Sequence, residues 1–205
     1  MLAGDQSPAA DAREQVRREM RMRRRAVTAA QQARVARGLA QTLSPLLRSD
    51  KRIAVYLHRG READLSVVIA QARRRGCKLY VPVVTDMQRG RMEFVRFDAA
   101  MQLHRNRLGI FEPRSTTSRV PANQLDLVLL PLLAVDSRGW RLGQGAGFYD
   151  RRLRHLRDHR QWRRPRLIGI AYEFQRVPVL QPSAWDVPVD AVATDRRLYP
   201  VSRPS

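Results

Sequence analysis

Apolar residues along this chain follow two rhythms. Short dense runs alternate with longer stretches in which apolar positions recur every three or four residues. The dense runs fall at 52–57, 78–82, 125–130, 166–171 and 191–194, and each predicts a strand. Residues 125–130 are apolar at nearly every position, as expected of a central parallel strand covered on both faces. Residues 92–97 alternate instead, after a turn at Arg89-Gly90.

The second rhythm predicts helices. Thr28-Ala-Ala-Gln31 has the form of a capping box, and Val35, Leu39 and Leu43 then mark one face up to Pro45. Leu65, Val68, Ile69 and Ala72 mark another helix, with Asp64 as its candidate N-cap and Gly76 as its stop. Residues 11–25 form a charged helical stretch whose apolar positions are Val16 and Met20, and 149–158 read as an Arg-rich helix. Strands alternating with helices predict an α/β fold, a three-layer Rossmann-like domain with a mostly parallel sheet. Residues 1–10 read as a disordered leader and 11–205 as a single domain.

Charge changes this picture little. The net charge is +20, and only Lys51 and Lys78 of the 39 basic residues are lysine. Such a charge attracts nucleic acid, and a basic nucleic-acid-binding protein is one alternative. The arginines, however, are spread along the chain without a helix-turn-helix, zinc-finger or RNP pattern, so no specific nucleic-acid partner is expected. The charge also suits a polyanionic ligand. No apolar run is long enough to span a bilayer, and the N-terminus lacks the apolar block of a signal peptide. Cys77 is alone, so an internal disulfide is impossible. A cytoplasmic monomer without a membrane partner is the expectation.

The chemistry concentrates after the apolar run that ends near Val135. Arg141 leads into Gly143, Gly145 and Gly147, and Phe148, Tyr149 and Asp150 follow at once. Glycines let backbone amides approach an anion closely, and an arginine adds charge. The spacing matches neither the dinucleotide fingerprint nor the Walker loop, so on spacing alone a structural turn remains an equal alternative. In open α/β sheets ligands bind beyond the carboxyl ends of strands. That rule selects Arg59, Glu62 and Asp64 after the first strand and Asp136 with the glycine loop after the central one. It also selects Gln175 and Asp190, taken to follow later strands. The histidines at 58, 104, 155 and 159 show no metal spacing and read as surface residues.

The string Arg141-Leu-Gly-Gln-Gly-Ala-Gly-Phe-Tyr-Asp150-Arg151 closely resembles the motif of the 5-formyltetrahydrofolate cyclo-ligase family. Arg107-Leu-Gly-Ile-Phe-Glu-Pro113, Leu167-Ile-Gly-Ile-Ala-Tyr-Glu-Phe-Gln175 and Trp185-Asp-Val-Pro-Val-Asp190-Ala-Val-Ala-Thr194 resemble further segments of it in order. The resemblance implies a Rossmann-like α/β fold and ATP- and Mg²⁺-dependent cyclisation of 5-formyltetrahydrofolate to 5,10-methenyltetrahydrofolate. That reaction would release ADP and phosphate through a phosphorylated formyl intermediate. Another ATP-dependent small-molecule ligase on the same scaffold is the second alternative.

The resemblance also distributes roles. Arg13 and Arg17, four apart on one helix, would grip the ATP phosphates, where the family often has Lys at the first position. Arg141, Leu142, Gly143, Gln144, Gly145, Ala146, Gly147, Phe148 and Tyr149 would complete the ATP site, with Arg141 and Tyr149 catalytic. Arg59, Glu62 and Asp64, with Gly145, Gly147, Phe148 and Tyr149, would bind the folate, which could be polyglutamylated. Asp150 and Asp190 would hold Mg²⁺. Phe148 and Ala146 depart from the family's commoner residues, as does Leu132 after Pro131, and none of these changes removes a charged side chain from this chain's loop.

Overall fold

Successive residues of a strand face opposite sides, and the buried runs of this chain sort accordingly. Ile53, Leu127, Leu129, Ile168, Ile170, Ala191 and Ala193 pack into one apolar cluster with Val35, Leu39, Val68 and Ile69. Their neighbours Ala54, Val128, Leu130, Leu167 and Val192 pack into a second cluster with Leu153, Leu156, Val187 and Val189. The sheet is therefore covered on both faces, which explains why its strands read as continuous apolar runs. A computed structural model describes residues 8–105, 109, 111–113, 118–158 and 164–201.

The chain opens with helices α1 (Pro8–Arg25) and α2 (Ala29–Leu43). Strand β1 (Arg52–Ala54), helix α3 (Ser66–Arg74) and strands β2 (Lys78–Asp86) and β3 (Arg91–Arg96) follow. Then come β4 (Leu103–Arg105), β5 (Phe111–Pro113), β6 (Arg119–Val120) and the central β7 (Leu127–Pro131). The hairpin β8 (Ala134–Val135) and β9 (Arg141–Leu142) leads to α4 (Phe148–Leu153) and α5 (His155–Asp158). Strands β10 (Arg166–Ile170), β11 (Ala191–Ala193) and β12 (Leu198–Pro200) close the described chain.

The main sheet has the order β12-β11-β10-β7-β1-β2-β3-β6. Its middle, from β11 to β2, is parallel, and the antiparallel strands β12, β3 and β6 extend its margins. This is the expected α/β class with a mostly parallel sheet. The capping box of α2 is present, with Thr28 and Gln31 bonded reciprocally at 2.8 and 3.2 Å. Among the described residues, no helix is long and apolar enough to cross a membrane.

Several boundaries differ from expectation. Helix α1 already includes Pro8 to Ala10, assigned to the leader; residues 1–7 lie outside the described residues. Arg107, Leu108, Ile110 and His159 also lie outside them. Strand β1 ends at Ala54 rather than Leu57; the Val55 amide still donates to the Tyr80 carbonyl at 2.8 Å, and beyond it the Tyr56 hydroxyl donates to the Ala63 carbonyl at 2.6 Å. The single Arg-rich helix expected at 149–158 is two short helices parted at Arg154.

Candidate active site

The site is assembled around α1, whose sequence carries two adjacent stripes. Val16 and Met20, four apart, pack on Leu133, Ala134, Leu142 and Leu180. Met20 is only 2% exposed, and burial of such a side chain contributes about 1.5–3 kcal/mol. That apolar seam presses the helix onto the β8–β9 hairpin. The neighbouring stripe of Arg13, Arg17, Arg21 and Arg24 thereby meets three loops in turn.

Each arginine has a defined neighbour. Arg13 donates to Asp186 at 2.8 Å and to the Gln181 carbonyl at 2.6 Å. Arg17 donates to the Gly143 carbonyl at 3.3 Å and to Glu14 at 3.0 Å. Arg21 reaches the Gln144 carbonyl at 3.3 Å, and Arg24 lies 3.5 Å from Glu62. With its amide oxygen turned to Arg24, Gln144 accepts from that guanidinium at 2.7 Å. Spacing alone suggests a solvated face for Arg13 and Arg17; the packing brings both to the glycine loop or to the segment beside it.

The loop itself is held from below and left open above. Arg141 is 4% exposed in its side chain and donates to Asp150 at 2.7 Å and to the Val187 carbonyl. Arg151 donates to the Gly90 carbonyl at 3.2 Å and also bonds the Ala146 carbonyl, pinning the loop's far end. Among the described residues, none of the amide groups from Gly143 to Gly147 donates to the protein. A side chain at Gly143 or Gly145 would meet nothing within 4 Å, so both face open space. Gly145 has φ +113, which a residue with a Cβ adopts only under strain. These features match an anion-binding loop rather than a turn that closes on itself.

Asp150 receives two hydrogen bonds on Oδ1, from Arg141 at 2.7 Å and the Val187 amide at 3.1 Å. Among the described residues its Oδ2 accepts none, and the side chain is 21% exposed. Asp190 is placed differently from expectation. It precedes β11 rather than following a strand, and its carboxylate accepts from the Leu167 amide at 2.7 Å, near the amino end of β10. Among the described residues, no group of three His, Cys, Asp or Glu side chains is arranged to hold a metal.

The loop after β1 supplies the other wall. Glu62 is largely buried and caps its own turn by accepting from the Arg59 amide at 3.0 Å. The Arg59 side chain itself is exposed. Asp64 accepts from the Ser66 amide at 2.7 Å and from the Ser66 hydroxyl at 2.9 Å, one residue ahead of the α3 cap at Leu65. His58 lies 3.0 Å from Asp64, so it is not the idle surface residue expected. Desolvation would raise the Asp64 pKa, yet the His58 and Ser66 hydrogen bonds outweigh it and hold the carboxyl at about 2. The same hydrogen bond raises the His58 pKa above its ordinary value against the effect of burial.

Three tyrosines close the wall. Tyr172 donates to the carbonyls of Arg61 and Glu62 at 3.2 and 3.3 Å and stacks on Phe174 with centroids 5.3 Å apart. Burial pushes its phenol up to about 12. Burial, with Glu62 nearby, also raises Tyr56 and Tyr149 well above the ordinary range. Tyr149 is consequently a neutral hydroxyl at physiological pH.

Two expected ligand-side residues are structural. Asp136 is fully buried in its side chain, and its carboxylate ties the amides of Arg138, Trp140 and Leu180. Gln175 is 2% exposed; its amide donates to the carbonyls of Leu132 and Leu133 and accepts from the Tyr172 amide. Both fix the path from β7 into the hairpin. Sequence reasoning missed Asp186, Arg24, Tyr56 and Tyr172. Their residue types carried no local signal, and only packing shows what they meet.

Comparison with known proteins bears on the family and the fold. The model of the 5-formyltetrahydrofolate cyclo-ligase family matches residues 9–195. The 5-formyltetrahydrofolate cyclo-ligase of Escherichia coli (strain K12) is 34% identical over 184 residues, covering 88% of this chain and 98% of that protein. The Haemophilus influenzae protein of the same description is 34% identical over 182 residues, covering 86% and 94%. Among solved structures, Aquifex aeolicus 5,10-methenyltetrahydrofolate synthetase has a TM-score of 0.76 at 25% identity over 94% of each chain. The Mycoplasma pneumoniae 5,10-methenyltetrahydrofolate synthetase shares the fold, with a TM-score of 0.70 over 89% of this chain and 98% of that one.

Proposed function

The chain belongs to the 5-formyltetrahydrofolate cyclo-ligase family, and from that premise we propose that it converts 5-formyltetrahydrofolate to 5,10-methenyltetrahydrofolate at the expense of ATP. The observation that carries this reading is the loop from Gly143 to Gly147. Its amides are uncommitted, Arg17 stands against its first carbonyl, and Arg141 is fixed behind it.

A formamide oxygen is a poor leaving group, and the reaction must first improve it. The formyl oxygen attacks the γ-phosphorus of ATP, the bond to the β-phosphate oxygen breaks, and ADP departs. The resulting imidoyl phosphate carries an electrophilic carbon. N10 of the folate attacks that carbon, phosphate leaves with the former formyl oxygen, and the N10 proton is lost to give the methenyl bridge. Such chemistry asks the protein for positioning and charge neutralisation rather than a nucleophile. The loop amides and Arg17 bind the terminal phosphates, while the buried Arg141 acts through the loop as a fixed positive charge. Glu62 and Asp64 accept from the N–H edge of the pterin. Tyr149 hydrogen-bonds as a neutral phenol.

Magnesium fits this set through one carboxylate. Asp150 would hold it with Oδ2, which accepts no hydrogen bond among the described residues, the remaining positions falling to phosphate oxygens and water. Bound there, it would neutralise charge on the phosphates. The +20 net charge suits both substrates, including polyglutamylated folate.

The test is the appearance of the methenyl chromophore when the purified protein is mixed with Mg-ATP and 5-formyltetrahydrofolate. Turnover that stops with EDTA or without ATP is expected. Nucleotide binding with no chromophore would assign the scaffold to another ligase reaction.

A further inference from the structure

The two substrate walls are not independent. Glu62, in the loop after β1, and Gln144, in the glycine loop, lie far apart in sequence; their side chains approach to 3.5 Å and share a neighbour in Arg24. One guanidinium nitrogen of Arg24 lies 3.5 Å from Glu62 Oε1, and the other, with the Gln144 amide oxygen turned towards it, donates to that oxygen at 2.7 Å. Both charged side chains are shielded, at 15% and 14% exposure. A cation and a carboxylate so placed depend strongly on each other's geometry, because water compensates little for a misplaced partner.

We infer that Arg24 is a positioning residue that couples the nucleotide loop to the folate-binding carboxylate, so that each substrate tightens the other. The inference rests on the reading that phosphates seat on the loop and the pterin on Glu62. Gln144 lies between Gly143 and Gly145, whose amides are uncommitted and whose surroundings are open, so its side chain follows the loop. Phosphates that order the loop fix Gln144, Gln144 fixes one edge of the Arg24 guanidinium, and the other edge then holds Glu62 in the orientation that accepts from the folate. A planar guanidinium can serve two acceptors at fixed angles, which an ammonium cannot. Arg24 is anchored for this task at the end of a helix whose Met20 is buried, just ahead of Val27, which the connection to α2 places in the core. By thermodynamic reciprocity the folate must raise nucleotide affinity by the same factor.

The test measures binding without turnover. Titration calorimetry of the full-length protein gives the Kd of 5-formyltetrahydrofolate alone and with saturating Mg²⁺ and the non-hydrolysable β,γ-imido analogue of ATP. Affinity is expected to rise about tenfold with the analogue in the wild type, within the usual span of coupled sites. In Arg24→Ala the ratio should fall to about one, with Arg24→Lys intermediate. Gln144→Ala leaves the Arg24–Glu62 pair intact but breaks the link, and should also give a ratio near one. It decides the matter if Arg24→Ala does not fold. A wild-type ratio of one, or a Gln144→Ala ratio equal to a raised wild-type value, overturns the coupling. Failure of the wild type to bind either ligand sinks the functional reading itself.

Discussion

Two turns, a few residues apart, follow opposite rules. The turn between β8 and β9 closes on itself: Asp136 bonds the amides of Arg138 and Trp140, draws in the Leu180 amide and pairs with Arg138. The loop from Gly143 to Gly147 commits none of its amides to the protein among the described residues. Satisfied donors stabilise a fold, and unsatisfied ones at an open surface are available to a ligand. The acid in the first turn and the glycines in the second make that difference, since a carboxylate organises local amides while glycine admits conformations that aim them outward.

The largest effect expected from breaking this contrast is at the closed turn. Asp136→Ala strands three amides around a fully buried position, while the half-exposed Arg138 keeps its bond to the Leu180 carbonyl, and should destabilise the protein by about 3–5 kcal/mol. Chemical denaturation measures it, and the fraction still folded should retain near-normal specific activity. The open loop should behave in reverse. Gly145→Val places a β-branched residue at φ +113 with no neighbour to clash. We expect about a hundredfold loss of kcat/KM, with stability lowered by only about 1–3 kcal/mol of local strain. Unchanged turnover would mean that the loop does not approach the phosphates.

Asp64 sharpens the comparison because it belongs to both kinds of turn, capping its own loop at Ser66 while facing the site. Its folded pKa of about 2 lies below the ordinary 3.8, so the stability it contributes is present above pH 4 and lost as pH falls towards 2. Partial exposure limits that contribution to about 1 kcal/mol. His58 has the opposite sign. Its raised pKa makes its contribution full below pH 6.5 and lost as pH rises through the folded value. Stability measured against pH should therefore show the penalty of Asp64→Asn vanishing at the acid end and that of His58→Gln vanishing at the alkaline end. A pH-independent penalty for either would contradict the pairing.

Much of the scaffold was legible along the chain. The run from Leu125 announced the central strand, Thr28-Ala-Ala-Gln31 its capping box, and the glycine string the open loop, because each depends on neighbours within a few residues. Arg17 was reached through resemblance and Glu62 also through its place after the first strand; the fold sets Arg17 against the Gly143 carbonyl and turns Glu62 back onto the Arg59 amide. Asp190 was mislaid because it was taken to follow a strand although it immediately precedes the one read at 191–194, at that strand's amino end. Asp136 and Gln175 were taken for ligand-side groups because the backbone amides and carbonyls they satisfy come partly from distant segments.

The amino-acid order by itself determined where most strands and helices lie and where the loop glycines stand, since periodicity and glycine content are local properties. Only the folded chain decided that α1 lies across the hairpin on Met20, that Arg141 is spent on Asp150 beneath the loop, and that Arg24 joins Gln144 to Glu62. Apart from Arg141 and Asp150, nine residues apart, those pairings join segments tens of residues or more distant, and the packing of apolar surfaces, rather than any local preference, brings them within reach of one another.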